Sequence, residues 1–476
     1  MPGCRFLFCL AGALAVACGS FDPVERRQSS ASDYYEQLRE HTEAALPGGP
    51  LSLRHCLETA LANNLELELA TVEAALSEAE EGARFLELLP RLGGRAELSH
   101  QDPLVFSTSS FLLGGGGIRD SFATAKEHKT VFFLAELAFS PLDFGLALFS
   151  RRQAELGVME RRQNRLRIAQ KISATVAAAY ARMQSTRISM PELEEGLKLA
   201  TERAEQLETL HRSARVPLRV YLEAREDEDR QREALFANRA AHAQARNLLA
   251  SAMGIAPDAR LAVETAGALP EDLGLPELGP LLERSLLARP ELFQADLRQE
   301  QAALELSKAW LRIFPNVRIF GNFTFDENKH LLHNSYQQAG LEITYDLLQS
   351  LFGGRVIETA RRQKDRLARD VELVSMNVLL QVRMAHLTLA RAVDHAKETR
   401  EAFDRARKLA DFARLEEEQG RGSGLDRRLA DMNARSAHAQ WMAARSELRI
   451  ARIDLLTAAG LPLLPVADHA ERQGTP

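Results

Sequence analysis

The chain has 476 residues, of which 45% are hydrophobic and 26% charged, with a formal net charge of -6 at pH 7. That length is ample for a large core. A negative balance without a basic surface argues against nucleic acid as a partner.

The first expected element is a leader. Residues 6–17 form an apolar run of twelve after a single Arg5, too short to span a bilayer, which takes roughly twenty apolar residues. One positive charge, an apolar core and small residues before a break match a secretory signal peptide over 1–17. Ala15, Val16, Ala17 and Cys18 resemble a bacterial lipoprotein signal, in which the cysteine receives the lipid and becomes the mature N-terminus. Leucine usually sits three residues before that cysteine, whereas Leu14 sits four before, so cleavage without lipid is the alternative. Residues 18–50 are then an N-terminal lipidated extension. Cys4 and Cys9 leave with the signal, and no disulfide framework can be built on Cys56 alone. Cys56 lies on an apolar helical face and reads as packing. After the signal no run approaches transmembrane length.

The rest of the chain contains itself twice. Residues 57–90 align without gaps on 282–315, an offset of 225, with nine identities in 34 positions. Each copy is helical in pattern and ends on a proline, Pro90 or Pro315, which cannot continue a helix. Strand alternation follows. Leu92, Gly94, Ala96 and Leu98 alternate with Arg95, Glu97 and Ser99, and a weaker return strand lies near 131–139. The long loop between them carries Gly114 to Gly117, which lack the Gly-Lys-Ser/Thr ending of a phosphate loop. In the second copy Val317, Ile319, Gly321, Phe323 and Phe325 alternate with Arg318, Phe320, Asn322, Thr324 and Asp326. Its return strand sets Leu341, Ile343, Tyr345 and Leu347 against Glu342, Thr344 and Asp346.

Very long helices come next, from about Leu146 to Arg212 and from about Arg355 to Gln419, each roughly 100 Å at 1.5 Å per residue. From Val378 to Ala413 a spacing of four and three picks out eleven positions, ten of them apolar, and subtracting 206 gives a matching seam from Ile172 to Leu207. Pro191 predicts a kink or a restart in the first rod. The turns at 213–220 and 420–427 reverse the chain into return helices, and the same offset maps Gly460 onto Gly254. The organisation expected is a first repeat over 51–254, a proline- and glycine-rich linker over 255–280, a second repeat over 281–460 and a tail over 461–476.

Strands of about ten residues with one apolar face have the length that crosses an outer membrane when tilted. Four strands cannot close, since small transmembrane barrels need about eight and an open edge in lipid leaves backbone groups unpaired. The chain must therefore oligomerise, and a barrel on a tube of alanine-rich helices is a conduit.

The segments LETALANNLEL and LERSLLARPEL, the strand-leading Pro90 and Pro315, the junctions FSPLDFG and LFGGR and the turn GRGSGLD resemble those of TolC-like outer-membrane efflux proteins, the exit ducts of tripartite export systems. The resemblance covers almost the whole mature chain. It implies a mainly α protein with a transmembrane β-barrel: a homotrimer whose twelve strands continue into a periplasmic coiled-coil tunnel. It also implies a place in the outer membrane of a Gram-negative bacterium, with a periplasmic adaptor and an inner-membrane pump as partners. By position the adaptor-contacting tips are Arg215, Val216, Pro217 and Leu218 in the first half, and Gly422, Ser423, Gly424 and Leu425 in the second. The first tip departs from the glycine-serine pattern. Residues 255–280 resemble the linker of the belt around the tunnel.

Charged rings close such tunnels, and Asp411, Glu416, Glu417 and Glu418 before the second tip are the candidates for one, the plain alternative being a solvated helix end. His330 and His333, three apart in a polar loop, lack a third ligand and read as solvent-facing. No Ser/His/Asp, Cys/His or zinc-helix constellation stands out, so neither an enzyme nor a cofactor is expected beyond the lipid on Cys18. The rival is an exported, lipid-tethered coiled-coil scaffold whose strands form a small soluble sheet. Its weakness is that a scaffold has no use for two hairpins, each leading into a rod.

Overall fold

A computed structural model describes residues 22–46, 48–102, 107–112, 118–123, 128–265, 274–328 and 331–462. The signal peptide, Cys18, Gly114 to Gly117, His330 and most of the tail lie outside these residues.

Helix α1 (Pro23–Ala45) begins where the Asp22 carboxylate accepts from the Val24 amide at 2.8 Å and Pro23 occupies the first helical position. It lies in the stretch that reads in the sequence only as an N-terminal extension. Helices α2 (Leu53–Asn63) and α3 (Leu65–Arg84) follow, then a 3-10 turn (Phe85–Leu88) and strand β1 (Arg91–His100) just past Pro90. A short hairpin, β2 (Ser107–Leu112) with β3 (Ile118–Ala123), occupies what reads as loop in the sequence. Strand β4 (Lys129–Phe139) leads into α4 (Pro141–Arg212), and α5 (Leu218–Ala252) returns. The order then repeats as α6 (Leu278–Ala288), α7 (Pro290–Leu311), β5 (Asn316–Asp326), β6 (Ser335–Thr344), α8 (Leu347–Glu418) and α9 (Gly424–Ala458).

The two passes agree in detail. α4 and α8 have 72 residues each and α5 and α9 have 35 each, and every boundary differs by 206. The single helix expected before each proline is two helices, broken at Asn64 and at its counterpart Arg289. Asn64 caps α3 by accepting from the Glu66 amide at 2.9 Å, whereas Pro290 at the first position starts α7. The positive-φ glycines that end α5 and α9 press on equivalent places. A Cβ on Gly254 would sit 2.3 Å from the Asn63 carbonyl oxygen, and one on Gly460 would sit 3.1 Å from that of Ala288.

The rods begin earlier than expected. Ser140 starts α4, its hydroxyl accepting from the Asp143 amide at 3.1 Å and donating to Asn316 Oδ1 at 2.6 Å. At Pro191 α4 neither ends nor restarts.

The described residues form two compact units, one from 22–68, 168–288 and 380–462 and the other from 69–167 and 289–379. In the second unit contacts give the lateral order α3, α4, α7, α8. Arg161–Glu73 joins α3 to α4 at 3.1 Å, Arg298–Glu160 joins α4 to α7 at 2.6 Å, and Gly353 of α8 leaves room for Ile313 just past α7. This unit also holds the antiparallel sheet of order β1-β4-β5-β6. In the first unit the order is α5, α4, α9, α8. Arg203–Asp227 at 2.8 Å, Arg435–Glu192 at 2.7 Å and a cluster of Val382, Leu389 and Leu455 make its three seams.

α4 therefore has neighbours on both sides in each unit, and α8 is at an outer edge in each. The consequence is visible in burial. The seam from Ile172 to Leu207 is buried or half-buried, and α4 also buries Tyr180, Ala181, Gln184 and Ser185. α8 buries its own seam but leaves Leu373, Met376, Leu380, Met384, Leu387 and Leu409 exposed. Although no run of transmembrane length is expected from the sequence, α8 contains a stretch long and apolar enough, by length and composition alone, to cross a membrane, and most of it is not buried in this chain.

Candidate functional site

The register of the sheet sorts its side chains. β1 pairs Leu92 with Leu137, Ala96 with Phe133 and Leu98 with Val131, and β4 pairs Phe133 with Phe325 and Phe139 with Ile319. β5 in turn pairs Ile319 with Leu341 and Val317 with Ile343. Successive strand residues point to opposite faces, so these residues share one face. Leu92 and Leu98 are each 81% exposed, and Phe133, Leu137, Ile319, Phe323, Leu341 and Ile343 are exposed beside them. A single chain thus presents a mainly apolar face to its surroundings, interrupted on β6 by Gln337 and Ser335.

The opposite face carries the charged and hydrogen-bonded groups, interleaved with Phe132, Leu134 and Phe320. Arg318 on β5 reaches Glu342 on β6 at 2.9 Å and pairs with Glu136 on β4. Arg95 and Glu97 pair on β1 at 2.7 Å. Asn322, Thr324 and Gln338 carry the same face along β5 and β6. One arginine thereby ties three strands in a fixed register.

The two hairpin tips share a turn and differ in chemistry. After α4 the amide of Arg215 donates to Leu210 O at 2.9 Å, with Ala214 at φ 59°. After α8 the amide of Arg421 donates to Glu416 O at 2.9 Å, with Gly420 at φ 69°. Both are closed by the left-handed residue that commonly ends a helix. In the second tip a Cβ on Gly422 would sit 3.0 Å from Glu416 Cβ and 3.1 Å from the Glu417 nitrogen, and Ser423 caps α9. In the first tip Pro217 opens α5 without a side-chain cap, and Leu218 is exposed. The tips meet: Val216 and Leu425 pack on one cluster with Ala204, Leu207 and Ala224, and Arg428 of α9 donates to Gln206 of α4 at 2.9 Å.

The four acids do not form one group. Asp411 and Glu418 are exposed, Glu416 is half-buried and contributes its carbonyl to the turn, and Glu417 pairs with Arg427 at 2.9 Å. His333 is exposed, and its proposed companion His330 lies outside the described residues. Among the described residues no group of three or more His, Cys, Asp or Glu could hold a metal ion.

A further focus carries no sequence signal. Leu51 forms a parallel bridge with Val263 and donates to Ala262 O at 2.7 Å, and both segments are pinned to α4. Tyr180 Oη donates to Leu51 O at 3.1 Å, Gln184 Nε2 to Glu264 O at 2.8 Å and Arg187 to Val263 O at 2.9 Å. Burial pushes the Cys56 thiol and the Tyr180 phenol up to about 12. Cys56 is fully buried there, as packing requires.

No protein-family model and no curated protein matches the sequence. Solved structures do. The outer-membrane channel OprN has a TM-score of 0.69 at 15% identity, covering 86% of this chain and 89% of its own. For the outer membrane channel CmeC of Campylobacter jejuni the TM-score is 0.69 at 14% identity, with coverage of 86% and 85%. The outer membrane protein VceC of Vibrio cholerae gives 0.67 at 16% identity, with coverage of 86% and 96%. With its four-stranded sheet and paired rods, the chain thus has the fold of the TolC-like outer-membrane channels.

Proposed function

We propose that the chain is one protomer of a trimeric outer-membrane exit duct, which passes cargo from an inner-membrane pump and a periplasmic adaptor to the exterior. The observation that carries this reading is the two-faced sheet. A soluble scaffold would leave Leu92, Leu98, Leu341 and Ile343 in water, whereas lipid accepts that face and an aqueous lumen accepts Arg318, Glu136 and Glu342.

Among the described residues β1 and β6 pair on one side only. In lipid each unpaired backbone group costs several kcal/mol. Three copies give twelve strands and remove both edges. The helices obey the same logic, because the outer helices α3, α5 and α8 bear exposed apolar rows, among them Leu69, Val72 and Leu76 on α3. Closure sets α8 of one copy beside α3 and α5 of the next.

The joined tips, Arg215 to Leu218 and Gly422 to Leu425, form the adaptor-contacting end. Asp411, Glu416 and Glu418 are the acids available for a ring at the tunnel entrance, while Glu417, held by Arg427, shapes the turn. Cys18 carries the lipid.

The test is conductance of the detergent-extracted protein in a planar bilayer, with its mass measured by light scattering. Expected are a trimer and discrete current steps, larger or more frequent in a variant with Asp411→Asn and Glu416→Gln, Glu417→Gln and Glu418→Gln. No current from either form sinks the duct.

A further inference from the structure

We infer that α1 is a clasp between protomers, its uncovered seam packing on the exposed apolar face of α8 in a second copy of this chain. The clasp presupposes the trimer proposed above.

Val24, Gln28, Ala31, Tyr35, Leu38, Thr42 and Ala45 alternate four and three along α1, the spacing of a coiled-coil seam. The chain covers only the C-terminal part of it. Thr42 is 9% exposed, its hydroxyl donating to Leu38 O at 2.6 Å and accepting from the Ala256 amide at 2.9 Å, and Leu38 and Ala45 are half-buried. His55 Nε2 donates to the Ala45 carbonyl at 3.0 Å. Toward the N-terminus the same seam lies open, with Val24 63% and Tyr35 66% exposed. Helices draw most of their stability from the packing of an apolar face, so a capped helix whose seam runs on past its cover calls for a second surface.

The mooring indicates which surface. Ala256 follows the end of α5, and α5 is an outer helix in the order α5, α4, α9, α8. α1 is therefore fixed at the edge that another copy's α8 approaches when a heterologous ring closes. That α8 presents Leu380, Met384 and Leu387, exposed and spaced four and three, which continues the open interface proposed for the tunnel wall. Charge agrees as well. Glu36 and Glu40 are exposed one turn apart beside Tyr35, and Arg383 and Arg391 are exposed beside the α8 row.

Tyr35→Cys is to be combined in turn with Leu380→Cys, Met384→Cys and Leu387→Cys in the full-length, detergent-extracted protein and oxidised. Cys56 is buried and does not compete. At least one pair is expected to give covalent dimers and trimers on a non-reducing gel that neither single-cysteine variant gives. Tyr35→Asp is expected to speed trimer dissociation about tenfold, the weight of roughly 1.4 kcal/mol. A trimer by light scattering, with no cross-linked pair and an unchanged dissociation rate, overturns the clasp and leaves the duct standing. Cross-linking confined to single chains overturns it too, and a monomer by light scattering overturns the trimer itself.

Discussion

Ala214 is the only non-glycine residue with a positive φ among the described residues. It holds the position that Gly420 holds 206 residues later, and the sequence gives no hint of this because alanine usually signals helix. A Cβ in the left-handed region costs roughly 1–2 kcal/mol, partly offset when glycine is introduced by its greater freedom in the unfolded chain. Ala214→Gly is expected to raise stability by about 0.5–1 kcal/mol in chemical denaturation. An unchanged or lower midpoint would show the first turn to be unstrained. Cys56 was legible as packing, while the consequence of its burial needed the fold. Its thiol and the Tyr180 phenol titrate at about 12 in the folded chain against ordinary values of 9.0 and 10.0. The unfolded chain releases these protons first, so the stability they contribute is complete below about pH 9 and is lost as pH rises toward 12. Thermal melts from pH 8 to pH 11 should show a falling midpoint, with a shallower fall in a variant carrying Cys56→Ala and Tyr180→Phe. Equal slopes would rule these groups out as its cause.

At the scale of elements, periodicity marked the rods and the second-half strands, and punctuation decided the boundaries less reliably. α4 begins before its expected start because its first turns lie ahead of the seam, where Ser140 and Pro141 are a cap and a first-position proline. The β2–β3 hairpin was missed because its strands are short and rich in serine and threonine, leaving little alternation to see. Pro191 reads in the sequence as a kink or a restart, yet α4 runs through it as one helix packed on both sides over many turns, and that burial outweighs one missing amide donor and a ring clash of about 3 kcal/mol. Pro191→Ala should therefore raise the thermal midpoint, with a gain of about 1–3 kcal/mol. A lower midpoint would show that the surrounding packing depends on the proline.

For the whole molecule, the proposed duct assigns the exposed surfaces to lipid, lumen and neighbouring copies, and that assignment can be tested. Leu92→Arg with Leu98→Arg places charge on the exposed apolar face, where each arginine near the midplane of a bilayer costs about 2–4 kcal/mol. Outer-membrane fractions should lose the extractable trimer, while Asn322→Arg on the opposite face should leave it in place. Equal recovery of both variants would contradict the assignment of the lipid face. The proposed trimer would also account for α8, whose apolar stretch would face another copy and not lipid.

By itself the sequence determined the duplication, the strand-leading prolines, the alternating faces and the helical seams, because each is written in residues near one another along the chain. It could not determine that Glu417 answers Arg427, that Val216 and Leu425 share one cluster, or that α4 lies inside while α8 lies at the edge. Those outcomes depend on which helices become neighbours. Two rods with matching buried seams acquire different burial on their other faces only when the chain folds back and gives one rod two partners and the other a free side.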